Sequence, residues 1–419
     1  MRNSAWGWHP IGNLCAKIGS GATPRGGATV YREEGVAFIR SQNVYNGHFA
    51  YEGLARIDEK AADKLRNVTV EPGDILLNIT GDSVARSCLV PNDILPARVN
   101  QHVAIIRPEP SRINSRFLSY FMVSPFMQKT MLSLSGAGGT RKAITKDMIE
   151  RFLAPLPPVQ VQSEIADILS AYDDLIENNR RRIALLEEAA RLLYREWFVH
   201  FRFPGHEHVP ITDGLPEGWD IHHLSDLCNP KDGIQTGPFG SQLHQSDYTE
   251  TGVPVVMPRD LKGFRIENDG IARIPEELAD KLGRHRMEVG DTVYGRRGDI
   301  GRRAFIGRRQ DGFFCGTGCL RIRPISSLID PRYLFDTLGT PQVAGFIANQ
   351  AKGSTMPNLS AGALKKVPIP CAPIRLQKLY VEAVEPQFEL METLVEQNQK
   401  LAQARDLLLP RLMSGEIAV

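Results

Sequence analysis

The chain repeats itself at a fixed distance. Tyr31 and Tyr248 lie 217 positions apart, as do Gly35 and Gly252, Ala62 and Ala279, and the tripeptides Asp63-Lys64-Leu65 and Asp280-Lys281-Leu282. The offset holds at Gly73-Asp74 against Gly290-Asp291 and at Gly81-Asp82 against Gly298-Asp299. It slips by one at Arg107-Pro108 against Arg323-Pro324, and by one more at Gln162 against Gln377. A period this long is far beyond any solenoid repeat, so it marks two copies of one domain. Two copies present two related surfaces, which suits a target in two parts better than a single catalytic pocket.

At 419 residues the chain holds two or more domains, each long enough to bury a core. A charged fraction of 23% and a hydrophobic fraction of 42% are those of a soluble globular protein. The net charge of +2 excludes little, but its distribution is uneven. From Arg284 to Arg323 there are ten arginines against four acids. Such a surplus is either the footprint of a polyanion or a solubilising face. Six scattered cysteines include one close pair, Cys315 and Cys319, with no second pair or nearby histidine to complete a zinc set. Reduced structural thiols, no metal site and a cytoplasmic location are expected. No signal-type segment opens the chain, and no run reaches the ~20 apolar residues of a membrane span.

Residues 1–158 read as a mixed domain. Val36-Ala-Phe-Ile39, Asp74-Ile-Leu-Leu-Asn78 and His102-Val-Ala-Ile-Ile106 are short β-prone runs bounded by turn residues. Arg116 to Leu132 reads as helix broken at Pro125, and Pro155-Leu-Pro-Pro158 closes the domain. The hydrophobic period then becomes seven. Ile165, Tyr172, Asn179, Leu186 and Leu193 form one series, and Leu169, Ile176, Ile183, Ala190 and Trp197 the other. Together they predict a coiled-coil seam within residues 159–203. A helix from about Ser163 to His200 is roughly 55 Å long. Asn179 is a lone polar residue in that seam, fixing register or sitting at a frayed, wet position. Residues 204–373 form the second copy, with strands at Val253-Pro-Val-Val256 and Asp291-Thr-Val-Tyr294. Residues 374–419 hold a second long helix from about Leu376 to Met413, with its seam at Tyr380, Val384, Met391, Leu394, Leu401, Leu408 and Leu412. Gln387, Asn398 and Arg405 weaken it. The expectation is an α+β fold. Two mixed domains are separated by two long helices pairing as an antiparallel coiled coil, with a pseudo-two-fold relation.

No catalytic constellation is present. The chain lacks a phosphate-binding G-x-x-x-x-G-K-[ST], an H-E-x-x-H and a nucleophile elbow. It has no G-x-G-x-x-G opening a strand-turn-helix cofactor site. Gly136-Ala-Gly138-Gly139 reads as a loop. His206-Glu-His208 has the wrong spacing for one helical face. The Asn-Pro-Pro-aromatic tetrapeptide that amino-methyltransferases place over the target base is absent. Gly73-Asp74 and Gly290-Asp291 each precede a strand and read as turns rather than paired catalytic carboxylates.

Several segments together resemble the DNA-specificity subunit of Type I restriction–modification enzymes. They are Ser20-Gly-Ala-Thr-Pro24, Gly73-Asp-Ile-Leu76, Asn100-Gln-His102, Pro155-Leu-Pro-Pro158 and Leu408-Leu-Pro-Arg-Leu-Met-Ser-Gly-Glu-Ile417. Their order, the duplication and the long helix after each copy carry the resemblance across the whole chain. It implies that each copy is a target-recognition domain reading one half of a split sequence in double-stranded DNA. It implies that the helices space the domains and dock two methyltransferase subunits, with restriction and translocase subunits as further partners. S-adenosylmethionine, ATP and Mg would be bound by those subunits, leaving this chain with no catalytic residue and no cofactor. A divergent stand-alone methyltransferase or nuclease is the alternative. The second copy has Thr236-Gly-Pro-Phe-Gly-Ser241 where the first has Ser20-Gly-Ala-Thr-Pro24, so the copies should read different sequences.

DNA sequence is read at base edges while phosphate contacts hold register, from side chains on loops beside rigid strands. In the first copy the candidates are Thr23, Arg25, Arg40, Ser41, Gln42, Asn43, Asn78, Thr80, Asp82, Arg86, Asn100, Gln101, His102, Arg141 and Lys142. In the second they are Gln235, Thr236, Ser241, Gln242, Arg259, Asp260, Arg296, Arg297, Arg302, Arg303, Lys352 and Ser354.

Overall fold

The computed structural model describes residues 6–24, 26–136, 142–239, 242–298, 300–351 and 358–419. The chain packs as two compact units, residues 1–181 with 393–419, and residues 182–392. The long helices, Val159–Phe198 and Ile374–Ser414, are therefore each divided between the units instead of forming modules of their own.

The first unit is built on a four-stranded antiparallel sheet, ordered Ser87–Leu89, Ile75–Asn78, Val103–Pro108 and Cys15–Ser20. A five-stranded sheet joins it, in which Val36–Ile39 pairs parallel with Ala97–Val99. The apolar runs of the sequence are these central strands, and Ile39, Ile75, Leu77 and Ile105 are fully buried. The predicted helix break at Pro125 is present. Ser115–Val123 ends, Ser124 caps the next turn through the Met127 N–H, and Pro125–Ser135 follows.

The second unit has the same plan. Its four-stranded sheet is ordered Ile234–Thr236, Cys319–Ile322, Thr292–Gly295 and Arg303–Phe305. Val253–Val256 pairs parallel with Phe314–Cys315. Tyr194, Phe198, Trp219, Tyr333 and Tyr380 form an aromatic core around the end of the first long helix.

The repeated residues hold equivalent joints. Asp74 is buried and accepts from the Glu71 N–H at 2.7 Å; Asp291 accepts from the Glu288 N–H at 2.8 Å. Each is thus a turn residue, and each also takes a bidentate arginine. Arg107 reaches Asp74 at 2.8 and 2.9 Å, and Arg323 reaches Asp291 at 2.8 and 2.7 Å. Gln162, buried at the start of the first long helix, accepts from the Asn114 N–H at 2.7 Å and donates to the Pro157 carbonyl at 2.9 Å. Gln377 repeats this with the Asp330 N–H at 2.8 Å and the Ala372 carbonyl at 2.7 Å. Asn114 and Asp330 in turn cap the helices Ser115–Val123 and Pro331–Thr337.

In the first unit the two long helices run antiparallel. Arg405 meets Asp173 at 2.5 Å, and Asn179 donates to Asn398 at 3.0 Å. Asn398 also donates to the Ile176 carbonyl at 3.3 Å. Asn398 and Arg405, read from sequence as weak points, are the partners of polar groups on the facing helix. Asn179 is buried and hydrogen-bonded, neither frayed nor wet. Ile165, Leu169 and Ile176 are buried there with Leu394 and Leu412, while Tyr172, Leu401 and Leu408 are half-buried. In the second unit Ile183, Ala190, Tyr380, Val384 and Met391 are buried, and Leu186, Leu193 and Trp197 are half-buried.

Asn179→Leu strands the amide oxygen of Asn398 and should cost about 1–3 kcal/mol, whereas joint replacement of both by Leu should recover most of that loss. Urea unfolding decides; a double variant no more stable than either single would show the pair uncoupled. A second expectation concerns pH. Burial, then the Arg284 charge, pushes buried His285 down to about 4. The unfolded chain takes up this proton near pH 6.5 and the folded unit does not, so its contribution is full above that value and fades as pH falls towards 4. Between pH 7 and 5 the loss should be about 2 kcal/mol. His285→Phe should flatten this part of the acid limb, and an unchanged slope would contradict the assignment.

Candidate nucleic-acid interface

In the first unit the strands bring several loops to one sheet edge. Cys15–Ser20, Val36–Ile39, Ile75–Asn78 and Ala97–Val99 all end there, and Val103–Pro108 begins there. Backbone bonds tie the edge together. Gly21 N–H donates to Val103 O at 2.9 Å, Asn100 N–H to Ile39 O at 3.0 Å and Ile79 N–H to His102 O at 2.9 Å. A side chain at Gly21 would lie 2.2 Å from the carbonyl oxygens of Val99 and Asn100, so only glycine lets the chain cross so closely. The second unit repeats the edge. Gly237 N–H donates to Cys319 O at 3.0 Å, Gly316 N–H to Val256 O at 3.0 Å and Arg296 N–H to Gly318 O at 2.9 Å. A Cβ at Gly237 would meet Gly316 O at 1.9 Å.

These loops carry most of the residues picked out from sequence, which fall into two sets. Asn43, Asn78 and Asn100 are buried scaffold. Asn43 accepts from the Arg40 N–H at 3.0 Å and donates to Ala50 O at 2.9 Å. Asn78 donates to Ser41 O at 2.8 Å, and Asn100 accepts from the His102 N–H at 3.1 Å. Thr23, Gln42, Asp82, Gln101, His102 and Lys142 are exposed, and Arg40, Ser41, Thr80 and Arg86 are half-buried. Arg40 and Gln42 both donate to Gly53 O, at 2.7 and 3.2 Å. Thr23, Gln101, His102 and Thr80 form a continuous hydrogen-bonded row. Arg25 and Arg141 lie outside the described residues.

In the second unit Asp260 occupies the place of Asn43: it is buried and accepts from the Met257 N–H at 2.8 Å. Arg303 is buried too, donating to Phe335 O at 3.0 Å with its guanidinium over the rings of Phe264 and Phe335. Asn43, Asn78, Asn100, Asp260 and Arg303 therefore shape the loops from within and do not present their side chains at the surface. Arg259, Arg297 and Arg302 are exposed, while Gln235, Thr236, Gln242 and Arg296 are half-buried. Arg296 donates to Asn358 at 3.2 Å, and Gln242 accepts from Arg284 at 3.3 Å. Ser241, Lys352 and Ser354 lie outside the described residues.

The arginine surplus between Arg284 and Arg323 is thus only partly a surface charge. Arg286 pairs with Glu276 and Asp280, Arg323 with Glu288 and Asp291, and Arg321 is 1% exposed and bonded to backbone carbonyls. Residue-type rules for base readout also passed over the aromatics. Arg86 lies 4.7 Å over the exposed Tyr45 ring, which stacks on His48 at 5.0 Å, and Phe239 is 58% exposed beside the second edge. Among the described residues no group of His, Cys, Asp and Glu is arranged to hold a metal, and no helix is long and apolar enough to cross a membrane. Both edges can donate and accept hydrogen bonds to bases and phosphates.

Comparison with known proteins agrees with this geometry. The family model described as Type I restriction modification DNA specificity domain matches residues 3–188 and again 216–403. The Type I restriction enzyme MjaIX specificity subunit of Methanocaldococcus jannaschii is 26% identical, over 96% of this chain and 91% of its own length. The HindI specificity subunit of Haemophilus influenzae is 22% identical, over 91% of this chain and 94% of its own. The crystal structure of the S subunit of a Type I restriction–modification system from M. genitalium superposes with a TM-score of 0.55 at 15% identity, covering 98% of this chain and 97% of that one. With both repeats matched, the chain belongs to the Type I restriction–modification DNA-specificity family.

Proposed function

We propose that this chain recognises a bipartite target in double-stranded DNA, each copy reading one half, and that it catalyses no step itself. The observation that carries this reading is the pair of sheet edges, alike in backbone and different in side chains, one in each family-model match. Exposed basic and polar groups such as Lys142, Arg259 and Arg302 would hold phosphates and set register, while fewer groups at each edge read bases. Methyl transfer to adenine N6 and DNA cleavage then belong to partner subunits, two of them methyltransferases and the others restriction and translocase subunits. S-adenosylmethionine, ATP and Mg would be bound there.

The long helices offer docking positions for those partners. Leu185 in the second unit is 70% exposed and Leu407 in the first 72% exposed, each on a helix whose other face is buried. Leu185→Glu and Leu407→Glu should leave the fold intact and abolish co-purification of the methyltransferase subunits. Retained co-purification with both replaced would remove the helices from the interface.

Exchange of residues 1–158 for the same domain of a relative should change one half of the methylated motif and spare the other. Methylome sequencing of host DNA reads this directly, and a change in both halves would refute modular reading. The purified chain given labelled S-adenosylmethionine and host-type DNA should transfer no methyl group. Transfer without any partner would establish an enzyme instead.

A further inference from the structure

The two recognition edges have the same backbone, so residues at equivalent places can be compared directly. The bridge Thr80 to Ala143 corresponds to the bridge Arg297 to Asn358. The bond from Ile79 N–H to His102 O corresponds to that from Arg296 N–H to Gly318 O. Gly21 matches Gly237 by their bonds to Val103 O and Cys319 O. Thr23, Thr80, Gln101 and His102 in the first copy therefore stand where Phe239, Arg297, Thr317 and Gly318 stand in the second.

In the first copy the Gln101 amide is held at both ends. Its oxygen accepts from the Thr23 hydroxyl, and its nitrogen donates to His102 Nε2 at 3.1 Å. An amide nitrogen cannot accept, so His102 Nε2 is the unprotonated nitrogen and Nδ1 donates to Thr80 Oγ1 at 2.7 Å. The row is exposed and oriented before any DNA arrives. It leaves Gln101 one amide N–H and one carbonyl lone pair for a base, the donor and the acceptor that adenine N7 and N6 call for.

The second copy has no such row. Gly318 carries no side chain, and Thr317 turns its hydroxyl to Pro238 O at 3.0 Å. What the edge presents is the exposed Arg297 and the exposed Phe239. A guanidinium fork matches guanine O6 and N7, and an exposed phenyl ring suits a thymine methyl or an unstacked step.

We infer that the two copies read opposite base-pair types from equivalent edges, an A·T pair through Gln101 and a G·C pair through Arg297. This rests on the proposal that these edges read DNA, which the unmodified complex tests separately.

The experiment is methylome sequencing of cells expressing the full chain with its methyltransferase subunits, unmodified or as Gln101→Ala or Arg297→Ala. The unmodified chain should give a two-part motif; its absence sinks the recognition proposal and this inference with it. Given that motif, Gln101→Ala should relax one A·T position in one half by about 5- to 150-fold, and Arg297→Ala one guanine position in the other half by a similar factor. An unchanged motif, an even loss over all positions, or relaxation at the opposite base-pair type overturns the inference while leaving the proposal standing. Where an alanine variant abolishes methylation, Gln101→Glu and Arg297→Lys replace it. Altered preference at the same single position supports the inference, and Arg297→Lys with the unmodified motif marks a phosphate contact and refutes it.

Discussion

Two buried carboxylates anchor this structure. Asp74 and Asp291 have almost no solvent to hold their charge, so each depends on its bidentate arginine and on one backbone N–H. Removing one partner of a buried pair costs about 3–5 kcal/mol, because the remaining charge is left uncompensated. Each clamp joins the start of one central strand to the end of its antiparallel neighbour. The other end of the same two strands carries the loops proposed to meet DNA. The fold therefore fixes one end of each sheet by electrostatics and leaves the other end to vary in side chain over an unchanging backbone.

That division explains which parts of the structure could be read from sequence. The repeated residues are the joints: the Asp–Arg clamps, the Gln162 and Gln377 links, and the glycines where chains cross. Repetition at an offset of 217, slipping to 216 and then 215, made the clamps and the glutamine links visible without coordinates, and the hydrophobic periods gave the central strands and the long helices. The first long helix begins at Val159 rather than at about Ser163 because Pro158 can precede a helix as well as stop one.

The site was less legible because one residue type serves two purposes on a loop. Asn78 and Gln101 are both loop-end amides of the same edge, yet one is turned inward to a carbonyl and the other outward. Arg303 and Arg302 are adjacent in the chain, and only the first is buried between aromatic rings. Residue type suggests what a side chain can bond; direction depends on tertiary neighbours that no local pattern reports. The polar partners Asn398 and Arg405 were misjudged for the same reason, since a polar seam position weakens a helix pair only when nothing faces it.

The division of the chain into units has a bearing on biosynthesis. Residues 182–392 are continuous, so every contact of that unit is available once its own segment has left the ribosome. The first unit is assembled from 1–181 and 393–419, and Leu409, Leu412 and Met413 are part of its core. Residues 1–181 must therefore wait, with part of their apolar surface uncovered, until residues 393–419 are translated. A nascent chain stalled before that point holds one finished unit and one that still lacks a wall.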